Sequence, residues 1–228
     1  GAGGTYYFFD YAADLQSLIE RHARTRVSVA GHSMGGMVAV QLAAAFPERM
    51  VRLALLEGIS VPEMPTTPER LRESVLGRGA AMPQRGTRDN PGSRHYASLE
   101  EAAQRMRHHD RRLDEQLALR LAERACIQVP SGEWVFRHDP LHATRSPVGF
   151  ELMVARRFFA AITSDVLYLE GAHSSFRLSG DDRRVRLRAF EKARSMSEHT
   201  IADAGHMMLR HTPDETARVL ADFFAGAQ

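Results

Sequence analysis

Val27-Ser-Val-Ala-Gly-His-Ser-Met-Gly-Gly-Met-Val-Ala-Val40 is the stretch that decides the reading of this chain. Its first part, RVSVA (26–30), is a short β-branched run that predicts a strand. GHSMGG (31–36) predicts a turn with three glycines, and MVAVQLAAAF (37–46) an apolar, alanine-rich helix that stops before Pro47. Within the turn, Gly31-His32-Ser33-Met34-Gly35 is a G-x-S-x-G. A serine at so sharp a strand-to-helix junction needs small neighbours at both flanking glycines, and the turn exposes its hydroxyl. The helix amino terminus and the Met34 amide would favour an oxyanion beside it. The stretch lacks the Gly-Lys-Ser/Thr ending of a phosphate loop, and GHSMGG is not the G-x-G-x-x-G of a dinucleotide site.

Working outward, DYAADLQSLIERHA (10–23) has a helical pattern, and MVRLALLEGI (50–59) reads as a second buried strand. The order helix, strand, turn, helix, strand is that of a parallel sheet covered on both faces. The character changes over 61–98, where prolines 62, 65, 68, 83 and 91 and glycines 77, 79, 86 and 92 leave room only for short helices such as 68–76. Helical patterning returns over 99–125, WVFRHDPLHATRSP (134–147) is irregular, and 147–162 predicts a helix starting at its proline. DVLYLEG (165–171) and EHTIAD (198–203) predict strands, 181–194 and 212–226 helices, and the first four residues, GAGG, a loop. The expected fold is α/β, with core segments at 1–60 and 161–228 and a helical cap inserted at 61–160.

Composition bounds the function classes. The 228 residues are 43% hydrophobic and 25% charged, enough for one sizeable core. Thirty basic residues, all arginine except Lys192, face 28 acidic ones, for a net charge of +2. The arginines are interspersed with acids, the pattern of solvated helix faces, so no nucleic-acid partner is expected. A single cysteine, Cys126, excludes an internal disulfide framework and reads as a buried thiol. No run has the length of a membrane helix and no signal peptide is visible, so the default expectation is a cytoplasmic protein without a membrane partner.

A serine hydroxyl needs a base to take its proton. Among the 11 histidines, His206 follows the last short strand and would share the carboxyl-end rim of the sheet with Ser33. His211 is the alternative base, and His32 reads as a packing or hydrogen-bonding group beside the pocket. The orienting carboxylate has several candidates. Glu57 ends an otherwise apolar strand, where a carboxylate is unfavourable without a partner. Asp181, Asp182 and Glu170 are the others, the two aspartates also being natural caps for the helix that follows them. His173, Ser174, Ser175 and Phe176 stand where an acid would be convenient and are candidate pocket residues, as are Trp134 and Phe136. The sets His138, Asp139, His142 and His108, His109, Asp110 do not present ligands at metal-site spacing, so neither a metal nor a cofactor is expected.

The motifs VAGHSMGG (29–36), LALLEGISVP (53–62) and DAGHMMLRHTPDETARVLADFF (203–224) together resemble the α/β-hydrolase superfamily with an inserted cap. GAGGTYYFFDYAADLQSLIERH (1–22) and WVFRHDPLHATRSP further resemble its serine-hydrolase-like members. The resemblance implies a nucleophile at Ser33, an oxyanion amide at Met34 and a base at His206. Most members carry their acid after the strand equivalent to 165–170, and this chain departs from that. Haloalkane dehalogenases and some lipases place it after the preceding strand, which maps onto Glu57; the dehalogenases have an aspartate nucleophile, so Ser33 argues against dehalogenation. The implied chemistry is hydrolysis of a small-molecule carboxylic ester or thioester through an acyl-enzyme. An acyltransferase, a carbon–carbon bond hydrolase and a non-catalytic binding protein on the same scaffold are the alternatives. Members of the superfamily also have several strands ahead of this point, one followed by a loop carrying the second oxyanion amide. That part is expected from an N-terminal fragment of the same protein, a separate polypeptide completing the sheet, without which these residues would fold poorly.

Overall fold

A computed structural model describes residues 6–22, 26–81 and 94–226. The expected loop at 1–4, and Pro83, Gly86, Pro91 and Gly92 of the proline- and glycine-rich stretch, lie outside them. The chain forms two compact units, a larger one of Tyr7–Pro65 and Phe150–Gln228 and a smaller one of Thr66–Gly149 together with the chain's first residues to Tyr6.

The larger unit is built on strands β1 (Val27–His32), β2 (Met50–Leu56), β5 (Asp165–Gly171) and β6 (Ser195–Ile201). They pair in that order, all parallel. Helices α1 (Phe8–His22), α2 (Met34–Ala45), α6 (Leu152–Phe159), α7 (Gly180–Arg188), α8 (Met208–His211) and α9 (Pro213–Ala225) accompany them. Alternation along the two central strands divides the core. Leu53, Leu55, Val166 and Tyr168 face a cluster with Met37, Val40, Ala155 and Phe159. Ala54, Leu56, Leu167 and Leu169 face the opposite way, onto Ile201, Met208 and the α9 residues Val219, Leu220, Phe223 and Phe224. Burial on both faces is why β2 and β5 read as continuous apolar runs rather than alternating ones. Among the described residues β6 is an edge strand with Glu198, His199 and Thr200 exposed, and its polar sequence follows from that position.

The smaller unit contains α3 (Pro68–Ala81), α4 (Leu99–His109), α5 (Glu115–Ala125) and a two-stranded antiparallel sheet of β3 (Cys126–Gln128) and β4 (Trp134–Phe136). Its core gathers Tyr96, Ala102, Ala103, Leu113, Ala118, Ala122 and Cys126. The Cys126 thiol is buried, and burial raises it above its ordinary range.

Several boundaries differ from the sequence reading. The helix expected at 37–46 starts at Met34, because Gly35 and Gly36 belong to its first turn. The strand expected over 50–59 stops at Leu56, where Glu57 takes a positive φ of 50°. The helical stretch 99–125 is two helices: Asp110 closes α4, and the Asp114 carboxylate opens α5 by accepting the Leu117 N–H. The irregular segment 134–147 contains β4 and a 3-10 turn at Pro140–Ala143. The helix expected from Pro147 begins only at Leu152, because Phe150 is extended and its carbonyl accepts the Met64 N–H. The last strand lies three residues earlier than expected at its start, and α7 ends at Arg188.

Candidate active site

Each site residue sits just past a strand end and hangs from the strand beside it. Ser33, one residue beyond β1, donates its N–H to the carbonyl of Leu56, the last residue of β2 (2.9 Å). Glu57, one residue beyond β2, donates to Leu169 of β5 (2.8 Å). Ala172, one residue beyond β5, donates to Ile201, the last residue of β6 (2.9 Å), and His173 donates to Ala204 (2.9 Å). This stepwise register lines the carboxyl-end loops along one rim.

Ser33 is the single residue between β1 and α2, with φ 53° and ψ −119°. That is a left-handed-side conformation which L side chains rarely adopt, costing on the order of 1–3 kcal/mol and held by the surrounding structure. Close backbone approach explains the glycines, though not the pair expected. A Cβ on Gly31 would lie 2.5 Å from the Gly35 carbonyl oxygen, so Gly31 must be glycine. A Cβ on Gly35 would meet nothing within 4 Å. The second crowded position is Gly36, whose Cβ would lie 2.4 Å from the Cα of Gly58. Gly36 and Gly58 thus let the first turn of α2 touch the backbone immediately after Glu57, bringing the serine and carboxylate segments together.

His206 lies on the loop after β6. Its Nε2 is 3.0 Å from Ser33 Oγ and its Nδ1 is 2.6 Å from Glu57 Oε2. The Glu57 side chain is fully buried. Gly171 donates its N–H to Oε1 (2.8 Å) and Ser174 its hydroxyl to Oε2 (2.7 Å). Burial alone would raise this carboxyl, but the bonds from His206, Gly171 and Ser174 outweigh it and hold it below the usual glutamate range. An ionised carboxylate only accepts, so Nδ1 carries the ring proton and Nε2 presents its lone pair to the Ser33 hydroxyl. The order of groups is therefore hydroxyl, imidazole, carboxylate, the arrangement that turns a serine into a nucleophile.

His32 sits beside this line. Its Nε2 is 2.7 Å from the His206 carbonyl oxygen and its ring centroid 4.8 Å from that of His206. Burial lowers its pKa, against the opposing effect of that carbonyl bond. A neutral His32 with a proton on Nε2 ties the His206 backbone to the end of β1. The Phe176 ring lies 4.5 Å from the His206 ring and is 42% exposed. Met34 heads α2, so its N–H is one of the amides left open at a helix amino end, and its side chain is exposed.

The other candidates lie elsewhere. His211 ends α8 and accepts the Gly205 N–H through Nδ1 (3.0 Å), bracing the His206 loop from behind. Asp181 pairs with Arg184 (2.6 Å) and Asp182 with Arg186 (2.7 Å) along α7. Glu170 is fully buried and receives Arg177 (3.1 Å) and Arg183 (2.8 Å), so its charge is matched away from His206. His173 has an exposed side chain. Trp134 belongs to β4 of the smaller unit, where it exchanges backbone hydrogen bonds with Tyr96. Asp139 accepts the Tyr6 hydroxyl (2.9 Å). Among the described residues no group of three or more His, Cys, Asp or Glu is placed to hold a metal ion, and no helix is long and apolar enough to cross a membrane. The sequence reading missed the Gly171 amide as a partner of the acid. Its signal was a glycine ending a strand: a Cβ there would lie 2.5 Å from the Ala204 carbonyl oxygen.

The model of the alpha/beta hydrolase family matches residues 1–219. The chain belongs to that family. A serine hydrolase-like protein of Danio rerio is 25% identical over 228 residues, covering 96% of this chain and 67% of that protein. A hypothetical protein of Pseudomonas aeruginosa PAO1, PA1622, has a crystal structure that superposes with a TM-score of 0.82 at 27% identity, over 99% of this chain and 77% of that one. The thioesterase domain of the curacin biosynthetic pathway superposes with a TM-score of 0.74 at 18% identity, over 95% and 73%, a likeness of fold. Membership accords with the parallel sheet, the strand-serine-helix junction and the histidine loop after the last strand.

Proposed function

We propose that this alpha/beta hydrolase is a serine hydrolase that cleaves a carboxylic ester or thioester through an acyl-enzyme on Ser33. The observation that carries the reading is the unbroken hydrogen-bond line from Ser33 Oγ through His206 to the buried Glu57 carboxylate. The names of a serine hydrolase-like relative and a thioesterase-domain neighbour agree with it. In the first step the Ser33 proton passes to His206 Nε2 as Oγ attacks the carbonyl carbon. The imidazolium that forms is stabilised by Glu57. The Met34 N–H, at the positive end of α2, faces the developing oxyanion. His206 then returns the proton to the departing alcohol or thiol. Water repeats the sequence on the acyl-enzyme and releases the acid. The exposed Met34 and Phe176 side chains beside these groups suit an apolar substrate.

A second oxyanion donor completes such a site. Among the described residues β1 pairs only with β2, and its Ser28 and Ala30 are exposed. We assign that open edge to a further strand from an N-terminal segment of the same protein, with the second amide on the loop that follows it.

The test is the intact mass of the native preparation after treatment with a fluorophosphonate probe. A single adduct on this chain, lost in Ser33→Ala, is expected. No adduct on a preparation that also contains the N-terminal segment refutes the reading and favours a binding protein on the same scaffold.

A further inference from the structure

We propose that Ser174 is a positioning residue for the Glu57–His206 pair, supplying through a hydroxyl what fixes the carboxylate's direction. The proposal rests on the serine-hydrolase reading above.

Glu57 reaches the rim from β2, and two of its three donors come from the last residue of β5 and the loop after it. Gly171 holds Oε1, while Oε2 is shared between His206 Nδ1 (2.6 Å) and Ser174 Oγ (2.7 Å). With Gly171 alone, the carboxyl plane could turn about its last bond and draw Oε2 off the imidazole. Ser174 pins the second oxygen, so the plane and the line to Nδ1 are set together. The direction of its single proton is fixed as well. Ser174 Oγ accepts the Phe176 N–H (3.0 Å), and the Ser174 N–H closes a turn onto the Gly171 carbonyl (3.1 Å). With the acceptor side of the hydroxyl occupied by an amide, its proton points to Glu57. The same short loop then lays the Phe176 ring against His206 (4.5 Å). One loop therefore grips the acid by a hydroxyl and the base by an aromatic face.

The titratable groups facing Glu57 are His206 from the loop after β6, His32 from the end of β1 and Tyr168 from β5. Arg210 on α8 faces His32, and the Tyr168 hydroxyl is engaged by Ser60 (2.9 Å). Removing the Ser174 hydroxyl frees Oε2 to turn away from His206 Nδ1, which weakens the bond that orients the imidazole.

The experiment compares wild type with Ser174→Ala and Ser174→Thr by the NMR resonance of the His206 Nδ1–H proton, which needs no substrate, and by hydrolysis of p-nitrophenyl acetate. In Ser174→Ala the His206 Nδ1–H resonance should move upfield, as its hydrogen bond to Glu57 Oε2 weakens. The variant's kcat should fall about tenfold, with KM within about twofold, as for loss of one charge-assisted bond acting in the transition state. Ser174→Thr, which keeps the hydroxyl, should restore both readouts. An unmoved Nδ1–H resonance in Ser174→Ala overturns the proposal, as does a Ser174→Thr protein that behaves like the alanine variant. Failure of the wild type to take the fluorophosphonate on Ser33 would instead refute the hydrolase reading, while the Nδ1–H resonance still decides whether Ser174 positions the pair.

Discussion

Glu57→Gln separates charge from shape at the acid position. Glutamine has nearly the volume of glutamate, and its carbonyl can still accept from Gly171 or Ser174, so the buried segment after β2 keeps its packing. What disappears is the negative charge beside the imidazolium that forms when His206 takes the Ser33 proton. In wild type the carboxyl is held below its usual range, so it is ionised throughout the neutral and alkaline range in which such an assay runs. The Glu57 side chain is fully buried and His206 Nδ1 lies 2.6 Å away, so bulk-water screening does not apply. At an effective dielectric constant of about 20 and a charge-centre separation of about 4 Å, the attraction is roughly 4 kcal/mol. That corresponds to about a thousandfold in rate. The assay is the rate of fluorophosphonate capture at Ser33, followed by intact mass, alongside ester hydrolysis, with the circular-dichroism melting curve confirming the fold. Asp181→Asn and Asp182→Asn serve as controls and should stay within about twofold, since both aspartates are spent on α7 arginines. A folded Glu57→Gln protein with more than about a tenth of wild-type capture rate would refute the assignment of the acid.

The glycines offer a paired test: Gly36→Ala, whose Cβ would overlap the Gly58 backbone at 2.4 Å, should lose about 3 kcal/mol or fail to fold. Gly35→Ala, one residue earlier and open to 4 Å, should stay within about 1 kcal/mol in denaturant midpoint. At the opposite end of the sheet, Asp165 is held down to about 2 by its bond to Arg194, against a desolvation effect that would raise it, with Ser195 and Arg52 adding to the same side. Its folded value lies below the unfolded 3.8, so the stabilisation is present above about pH 4 and lost as pH falls through about 2. Because Arg194 is half exposed, Asp165→Asn should destabilise by only about 1 kcal/mol at pH 7, a difference that shrinks in urea melts as pH falls through about 2.

Ser33 stood out as the candidate nucleophile because three local signals coincide on it: a β-branched strand before it, glycines around it and an apolar helix after it. The candidate base followed from topology, since a histidine after the last parallel strand shares the rim with that serine. The acid could only be narrowed to candidates. Glu170 and Glu57 both lie near the end of apolar strands, and the sequence does not say which turns toward the histidine. The backbone separates the two candidates: Glu170 is still within β5 and faces Arg177 and Arg183, whereas Glu57 has left β2 with a positive φ and lies against His206. The hairpin of β3 and β4 escaped notice for a related reason. Three-residue strands carry no periodicity, and their pairing depends on Tyr96 and α5 folding against them. The contact of Gly36 with Gly58 was invisible too, because it joins two segments through backbone alone.

Ser33 and Glu57 are the two non-glycine residues with positive φ among those described, and each is the first residue past its strand. Conformations of this kind cost on the order of 1–3 kcal/mol apiece and persist only where neighbours over-determine them. Here the neighbours are explicit. Each amide is tied to the adjacent strand, Ser33 to Leu56 and Glu57 to Leu169, and the two turns interlock where Gly36 meets Gly58. The strain is thus shared by one rigid unit in which neither turn can relax without moving the other. Its effect is to raise both side chains above the sheet on adjacent strands, with His206 arriving between them from β6. Glu57→Gly would relieve the backbone and abolish the acid together, whereas Glu57→Gln keeps the strain and removes only the charge. A glycine variant more stable than the glutamine variant, with both equally slow at Ser33 capture, would show that the fold bears this strain for the sake of the site.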